Sequence, residues 1–286
     1  MVWLLYFGFD VAALHTVNVV QSYMRSIPNW AYMGGADATD IGNGGKWFST
    51  ADTGVSPMIK MHYRAGLNQI PLAEYFRTHP DEFGLLEIIV GALSGQLANI
   101  AEDGAMSMAY HAHPYIQQFD ANSGDYGLGF FGISLEATSY FVIHQKLGAL
   151  CYLCDLSSKT DNGAAAAAAA GGFRGTIVPR DSYRQRIYVE PLGLYVQADV
   201  GVFDAVEVDL AAKKIVITFA VAAKTPAGRQ TFSKFRLRVD QVSRDGLRPG
   251  QNFTLVEPAT AQLVRDAYEF PASGGKAATA TIGWSL

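Results

Sequence analysis

Apolar residues recur at helical spacing through the first half of the chain and alternate through the second, so the hydrophobic period changes near residue 147. The stretch FDVAALHTVNVVQSYMRSIP predicts a helix that Asp10 can cap and Pro28 follows. PMIKMHYRAGLNQIPLAEYFRTHP predicts a second, running to about Thr78 and kinked or broken at Pro71. DEFGLLEIIVGALSGQLANI, capped by Asp81, and GLGFFGISLEATSYFVIHQ predict two more. The linking segments are long and rich in Gly, Asp and aromatic residues, and long loops inside a compact domain are usually functional.

Beyond residue 147 the runs are short, β-branched and separated by turn residues: ALCYLCDLS, RGTIVPR, RQRIYVEP, GLYVQADVG, VFDAVEVDL, KIVITFAVA and FSKFRLRVDQV. They predict an antiparallel β-sandwich over 148–286, after a helical part over 1–147. An Ala/Gly-rich insertion near 161–172 (NGAAAAAAAGG) reads as a flexible loop because glycines flank its alanines.

Composition narrows the partners. Of the 286 residues, 49% are hydrophobic, 12% aromatic and only 17% charged, with a formal net charge of -4. Disorder is excluded as a default. Nothing in that balance attracts nucleic acid at long range, whereas many rings and few charges suit a neutral carbohydrate. The opening MVWLLYFGFD has no basic leader and no small-residue cleavage signature, and Asp10 ends it far short of a membrane span. No signal peptide is expected in this chain, and no membrane partner. Cys151 and Cys154 lack a second Cys or His pair at zinc spacing; on one strand they would point to opposite faces, so two buried free thiols are expected. No cofactor and no metal are expected.

The densest candidate chemistry lies in NIAEDGAMSMAYHAHPYIQQFDANSGDYGLGFFG, residues 99–132, with four carboxylates, two histidines and six aromatic rings. Glycoside hydrolysis needs two carboxyl groups across the scissile bond, one protonated and one ionised. Glu102, Asp103, Asp120 and Asp125 are the candidates, with His111 for proton transfer. Each acid has a bland alternative: Asp120 and Asp125 as turn or cap residues, Glu102 and Asp103 as solvated charges. His111 and His113 alternate in YHAHP, yet no acid stands at a metal-ligand offset from them, so hydrogen bonding to substrate is expected. Tyr110, His113, Tyr115 and Tyr126, with Trp30 and Trp47 around the GADATDIGNGG loop, are candidate sugar contacts, though any of these rings could equally be core. Tyr63 and Asn68, with His62 and Arg64, are the residue types a uronate lyase needs to move a proton and neutralise a carboxylate, and on a helix they could equally satisfy bundle contacts.

The residues YFGFD, IPNWAYMGG, HYRAGLNQIPLAEYFRTHPDE, SGDYGLGFFG and YRQRIYVEPLGLYVQADVGVFDAVEVD resemble the C-terminal part of a family of large bacterial and fungal proteins of unassigned activity, related to six-hairpin glycosidases. The resemblance covers most of residues 6–256. It implies an α/α toroid of helical hairpins followed by an antiparallel β-domain, and carbohydrate processing by analogy alone. It also implies a missing N-terminal portion of a longer, secreted protein, whose absence would leave the toroid incomplete. Three readings stand at this point: a glycoside hydrolase, a polysaccharide lyase, and a non-catalytic carbohydrate-binding or scaffold fragment.

Overall fold

The computed structural model describes residues 2–23, 32–34, 59–95, 137–158, 172–181, 183–220, 222–225, 228–241, 252–272 and 277–285. The chain divides into two compact units, Met1–Glu136 and Ala137–Leu286.

In the first unit, α1 (Val2–Tyr6) leads through Gly8 into α2 (Asp10–Tyr23), which buries Ala13 and Val17, four residues apart on one face. A short antiparallel pair, β1 (Tyr32–Gly34) with β2 (Ile59–Met61), precedes α3 (His62–Thr78) and α4 (Gly84–Gly95). Leu72, Ala73, Tyr75 and Phe76 of α3 and Leu85, Leu86, Ile88 and Ile89 of α4 are buried where these two helices pack. α3 runs through Pro71 and stops just ahead of Pro80, because the residue before a proline resists helical geometry. His79, in that position, lays its ring flat on Tyr75 at 4.0 Å.

The second unit is built from β3 (Ser139–His144), β4 (Gly148–Tyr152), β5 (Cys154–Ser158), β6 (Arg174–Pro179), β7 (Arg186–Val189), β8 (Leu194–Val200), β9 (Phe203–Asp209), β10 (Lys214–Phe219), β11 (Ala222–Thr225), β12 (Gly228–Thr231), β13 (Lys234–Gln241), β14 (Asn252–Glu257), β15 (Gln262–Val264), β16 (Ala267–Pro271) and β17 (Ala278–Ser285). Apart from the β11–β12 hairpin, they form a six-stranded sheet, β14-β17-β10-β9-β6-β5, and a seven-stranded sheet, β15-β16-β13-β8-β7-β3-β4. Pairing is antiparallel except between β3 and β7. One apolar core joins the inner faces: Ile177, Val206, Val208, Ile215 and Ile217 from the first sheet, Phe141, Ile187, Val196, Leu237 and Phe270 from the second. The chain repeatedly crosses from one sheet to the other. Two of these crossovers are abrupt, at Leu153 (φ 56) between β4 and β5 and at Gly201 (φ 117) between β8 and β9.

Two expectations are overturned. The described residues hold four short helices against thirteen strands in two sheets, and no α/α toroid of helical hairpins is present among them. The helix expected through SYFVIH is strand β3: Phe141 packs in the sandwich core while Tyr140 and Val142 lie on the sheet's other side, the two-residue alternation of a strand. Runs of β-branched and aromatic residues can imitate helical spacing over a few positions, and here the pairing with β4 and β7 decides the outcome.

The thiols are the second case. Cys151 and Cys154 form a disulfide with Cα atoms 5.5 Å apart. They do not share a strand, because the left-handed Leu153 turns the chain between them and brings both sulfurs to one corner.

Candidate binding face

The outer face of the six-stranded sheet carries an open arrangement of complementary charges. β6 and β10 alternate strictly, and β9 does so from Val206 onward, so the residues between the core positions point away from the core: Arg174 and Thr176 on β6, Glu207 and Asp209 on β9, Lys214 and Val216 on β10. Register places Arg174 opposite Asp209, and Asp209 opposite Lys214. In the next row Thr176 faces Glu207, and Glu207 faces Val216. With strands about 4.8 Å apart, the cation–anion–cation row spans roughly 10 Å.

Arg174, Gly175, Glu207, Val208, Asp209, Lys214 and Val216 line a hollow of about 90 Å³ on this face. That volume holds about three waters. Arg174 Nε lies 3.4 Å from Asp209 Oδ2, and Asp209 Oδ1 accepts the Ala212 amide at 2.9 Å, so both oxygens of this carboxylate are engaged. Gly175 lets β6 lie close over Phe173, since a Cβ there would stand 2.6 Å from the ring and 2.8 Å from the Ser157 carbonyl. Further along the Thr176–Glu207–Val216 row, Thr281 on β17 donates its hydroxyl to Glu257 on β14 at 3.0 Å. Two cations and two carboxylates balance in the hollow. Such a site can accept from and donate to a hydroxyl at the same time, and it disfavours a ligand of either net charge.

The outer face of the seven-stranded sheet carries a denser and more closed network. Arg236 donates to Asp199 at 3.1 Å and to Glu269 at 3.0 Å and reaches Asp266 at 3.4 Å, while Arg238 donates to Asp266 at 2.6 Å and to Asp199 at 3.0 Å. Lys234 adds a bond to Glu269 at 3.0 Å, which holds the Glu269 carboxyl below the usual carboxylate range. This network pairs both of its guanidinium groups with carboxylates, leaves the buried Arg238 Nε without a partner among the described residues, and braces β8, β13 and β16.

A third polar cluster lies at the Leu153 corner. Asp181 accepts from Ser139 Oγ at 2.9 Å and from the Tyr183 and Arg184 amides at 3.0 and 2.7 Å. Burial pushes the Asp181 carboxyl above the usual carboxylate range against those donors.

The candidate residues of the 99–132 segment, Glu102, Asp103, Tyr110, His111, His113, Tyr115, Asp120, Asp125 and Tyr126, lie outside the described residues, as do Trp30 and Trp47. Tyr63 and Asn68, with His62 and Arg64, belong to α3, and their side chains are outside the described set. In place of those rings, the first unit exposes Trp3, Tyr6, Phe7 and Phe9, each more than half accessible, with Trp3 stacked on Phe7 at 6.0 Å. Among the described residues no group of His, Cys, Asp or Glu side chains is placed to hold a metal ion, and no helix is long and apolar enough to cross a membrane.

Among known families, the chain matches one described as "Family of unknown function (DUF5695)" over residues 1–264. No curated protein and no solved structure matches. The expectation of a six-hairpin α/α toroid is therefore withdrawn: the described fold is sheet-based, and nothing in the family match links the chain to six-hairpin glycosidases.

Proposed function

The chain belongs to this family of unknown function, which supplies no activity, and from its own geometry we propose that the second unit is a carbohydrate-binding sandwich for a neutral saccharide. The observation that carries this reading is the charge-balanced hollow of Arg174, Glu207, Asp209 and Lys214 on the outer face of the six-stranded sheet. Sugar hydroxyls both donate and accept, and adjacent carboxylate and cationic groups at strand spacing answer both needs in one place. A uronate would meet two carboxylates, and a polycation would meet two cations. Binding is favoured over cleavage because general acid catalysis needs a carboxyl free to hold and deliver a proton, whereas Asp209 accepts the Ala212 amide at one oxygen and ion-pairs with Arg174 at the other.

Affinity electrophoresis of the full chain through gels containing neutral or uronic polysaccharides tests the reading. A neutral polysaccharide should retard the chain, and Arg174→Ala combined with Lys214→Ala should weaken retention about tenfold, equivalent to about 1.4 kcal/mol. Incubation should release neither new reducing ends nor ultraviolet-absorbing unsaturated sugars. The reading fails if no polysaccharide retards the chain or if the double variant is retained equally. Ultraviolet-absorbing products would favour a lyase in its place.

A further inference from the structure

The disulfide occupies a distinctive place in the topology. β4 is the outermost strand of the seven-stranded sheet and β5 the outermost strand of the six-stranded sheet, so each is paired along one side only. Edge strands are the least secured parts of a sheet and the ones most prone to pair with other chains. Cys151 lies on β4 and Cys154 begins β5, with the crossover residue Leu153 between the two strands. The S–S bond thus closes one open side of the sandwich at the point where the chain changes sheets.

The rest of the corner is tied to the same residue. The Leu153 carbonyl accepts the Arg180 amide at 2.7 Å, and the single Ser139 hydroxyl hydrogen is shared between that carbonyl at 3.0 Å and Asp181 Oδ2 at 2.9 Å. Through Ser139 the corner reaches the buried Asp181 carboxylate and the turn that it caps. Leu153 holds φ 56, a conformation that costs a non-glycine residue free energy and persists when its surroundings fix it. Both cysteines are only partly buried and pack at the margin of the core, so a small reductant can reach them.

We propose that the Cys151–Cys154 bond is a redox-sensitive lock on the two edge strands, closed where the chain meets an oxidising medium and opened by a dithiol. In opening, a thiolate of the dithiol attacks one sulfur and the S–S bond breaks to give a mixed disulfide. The second thiolate of the reagent then displaces the protein sulfur. The two cysteines gain two electrons and two protons, and the dithiol leaves as its own disulfide. Reducing compartments hold such bonds open, so the closed form belongs to an extracytoplasmic setting.

The test uses the full chain refolded in a glutathione redox buffer. Alkylation followed by peptide mass measurement should find both cysteines blocked before dithiothreitol and both alkylated after it. Reduction should lower Tm by about 3–8 °C, the range expected for a short disulfide loop in a unit of this size. Hydrogen exchange should quicken about tenfold or more in β4 and β5 and change little in β9 and β10, because local opening releases the edges and spares the centre. A Cys151→Ser/Cys154→Ser variant should match the reduced protein and ignore the reductant. If that variant does not fold, the reductant response of the unaltered chain decides alone. Cysteines that alkylate fully before reduction, or a reduced chain with unchanged Tm and unchanged exchange at β4 and β5, overturn the proposal.

Discussion

Gly201 holds φ 117 where β8 gives way to β9, and a Cβ there would lie 2.7 Å from Phe235 and 2.9 Å from Phe219. Those rings stand 4.6 Å apart in the core, so neither can retreat without disturbing the other. Gly201→Ala combines backbone strain with overpacking and should lower the unfolding free energy by about 3 kcal/mol, measured by urea denaturation. Asp181 poses a different single-residue question. Its carboxyl is raised by burial, so the folded state holds a proton over a pH range in which the unfolded chain, with a carboxyl near its usual value of about 3.9, has released it. The stability linked to this proton is fully present below the unfolded value and is lost as pH rises through the folded one. Asp181→Asn keeps an acceptor for the Tyr183 and Arg184 amides and can donate to Ser139, so at pH 7 it should equal or exceed the unaltered chain in stability. That advantage should shrink as acid is added. Asp181→Ala, which strands both amides, should lose about 2 kcal/mol at pH 7. Thermal unfolding of the three proteins between pH 4 and 7 distinguishes these cases; a pH-independent difference between the unaltered chain and the Asn variant would contradict the titration.

At the scale of the element, the network on β8, β13 and β16 turns on the forked geometry of one side chain. Arg236 is about one-fifth exposed and addresses three carboxylates with three different nitrogens. An ammonium cannot reproduce that fork, so Arg236→Lys should cost about 1–2 kcal/mol and Arg236→Ala somewhat more, read from urea midpoints. Equal stability of all three proteins would mean that the network only decorates the sheet. The same scale explains what the sequence disclosed. Strands β6 to β10 and β13 are legible because apolar and polar residues alternate through RGTIVPR, VFDAVEVDL and KIVITFAVA. β14 to β17 escape notice because Thr, Gly, Ala and Glu dilute the alternation and pairing supplies the missing information. The hollow was hidden for a related reason. Arg174, Glu207, Asp209 and Lys214 look like ordinary outward-facing strand residues, and only register brings a residue from β6 beside residues some 35 positions later. Their outward positions were readable in the sequence; their adjacency was not.

For the whole molecule, the decisive property is that the second unit encloses its own core. Phe141, Ile187, Val196, Phe203, Val206, Ile217, Phe235 and Ile282 belong to one buried cluster drawn from both sheets, all within Ala137–Leu286. The disulfide, the Asp181 turn, the Arg236 network and the hollow lie within the same limits. A unit of this length buries about two-thirds of the surface that its unfolded chain exposes, enough for a cooperative fold. Residues 137–286 expressed alone under oxidising conditions should therefore give a β-rich circular dichroism spectrum, a single sigmoidal urea transition monitored by two probes, and retention on the same neutral polysaccharide as the full chain. Cooperative unfolding with lost retention would move the binding site to the first unit, where Trp3, Tyr6 and Phe7 expose their rings. A broad, non-cooperative transition would instead mean that the sandwich depends on residues before 137, which the self-contained membership of its core argues against.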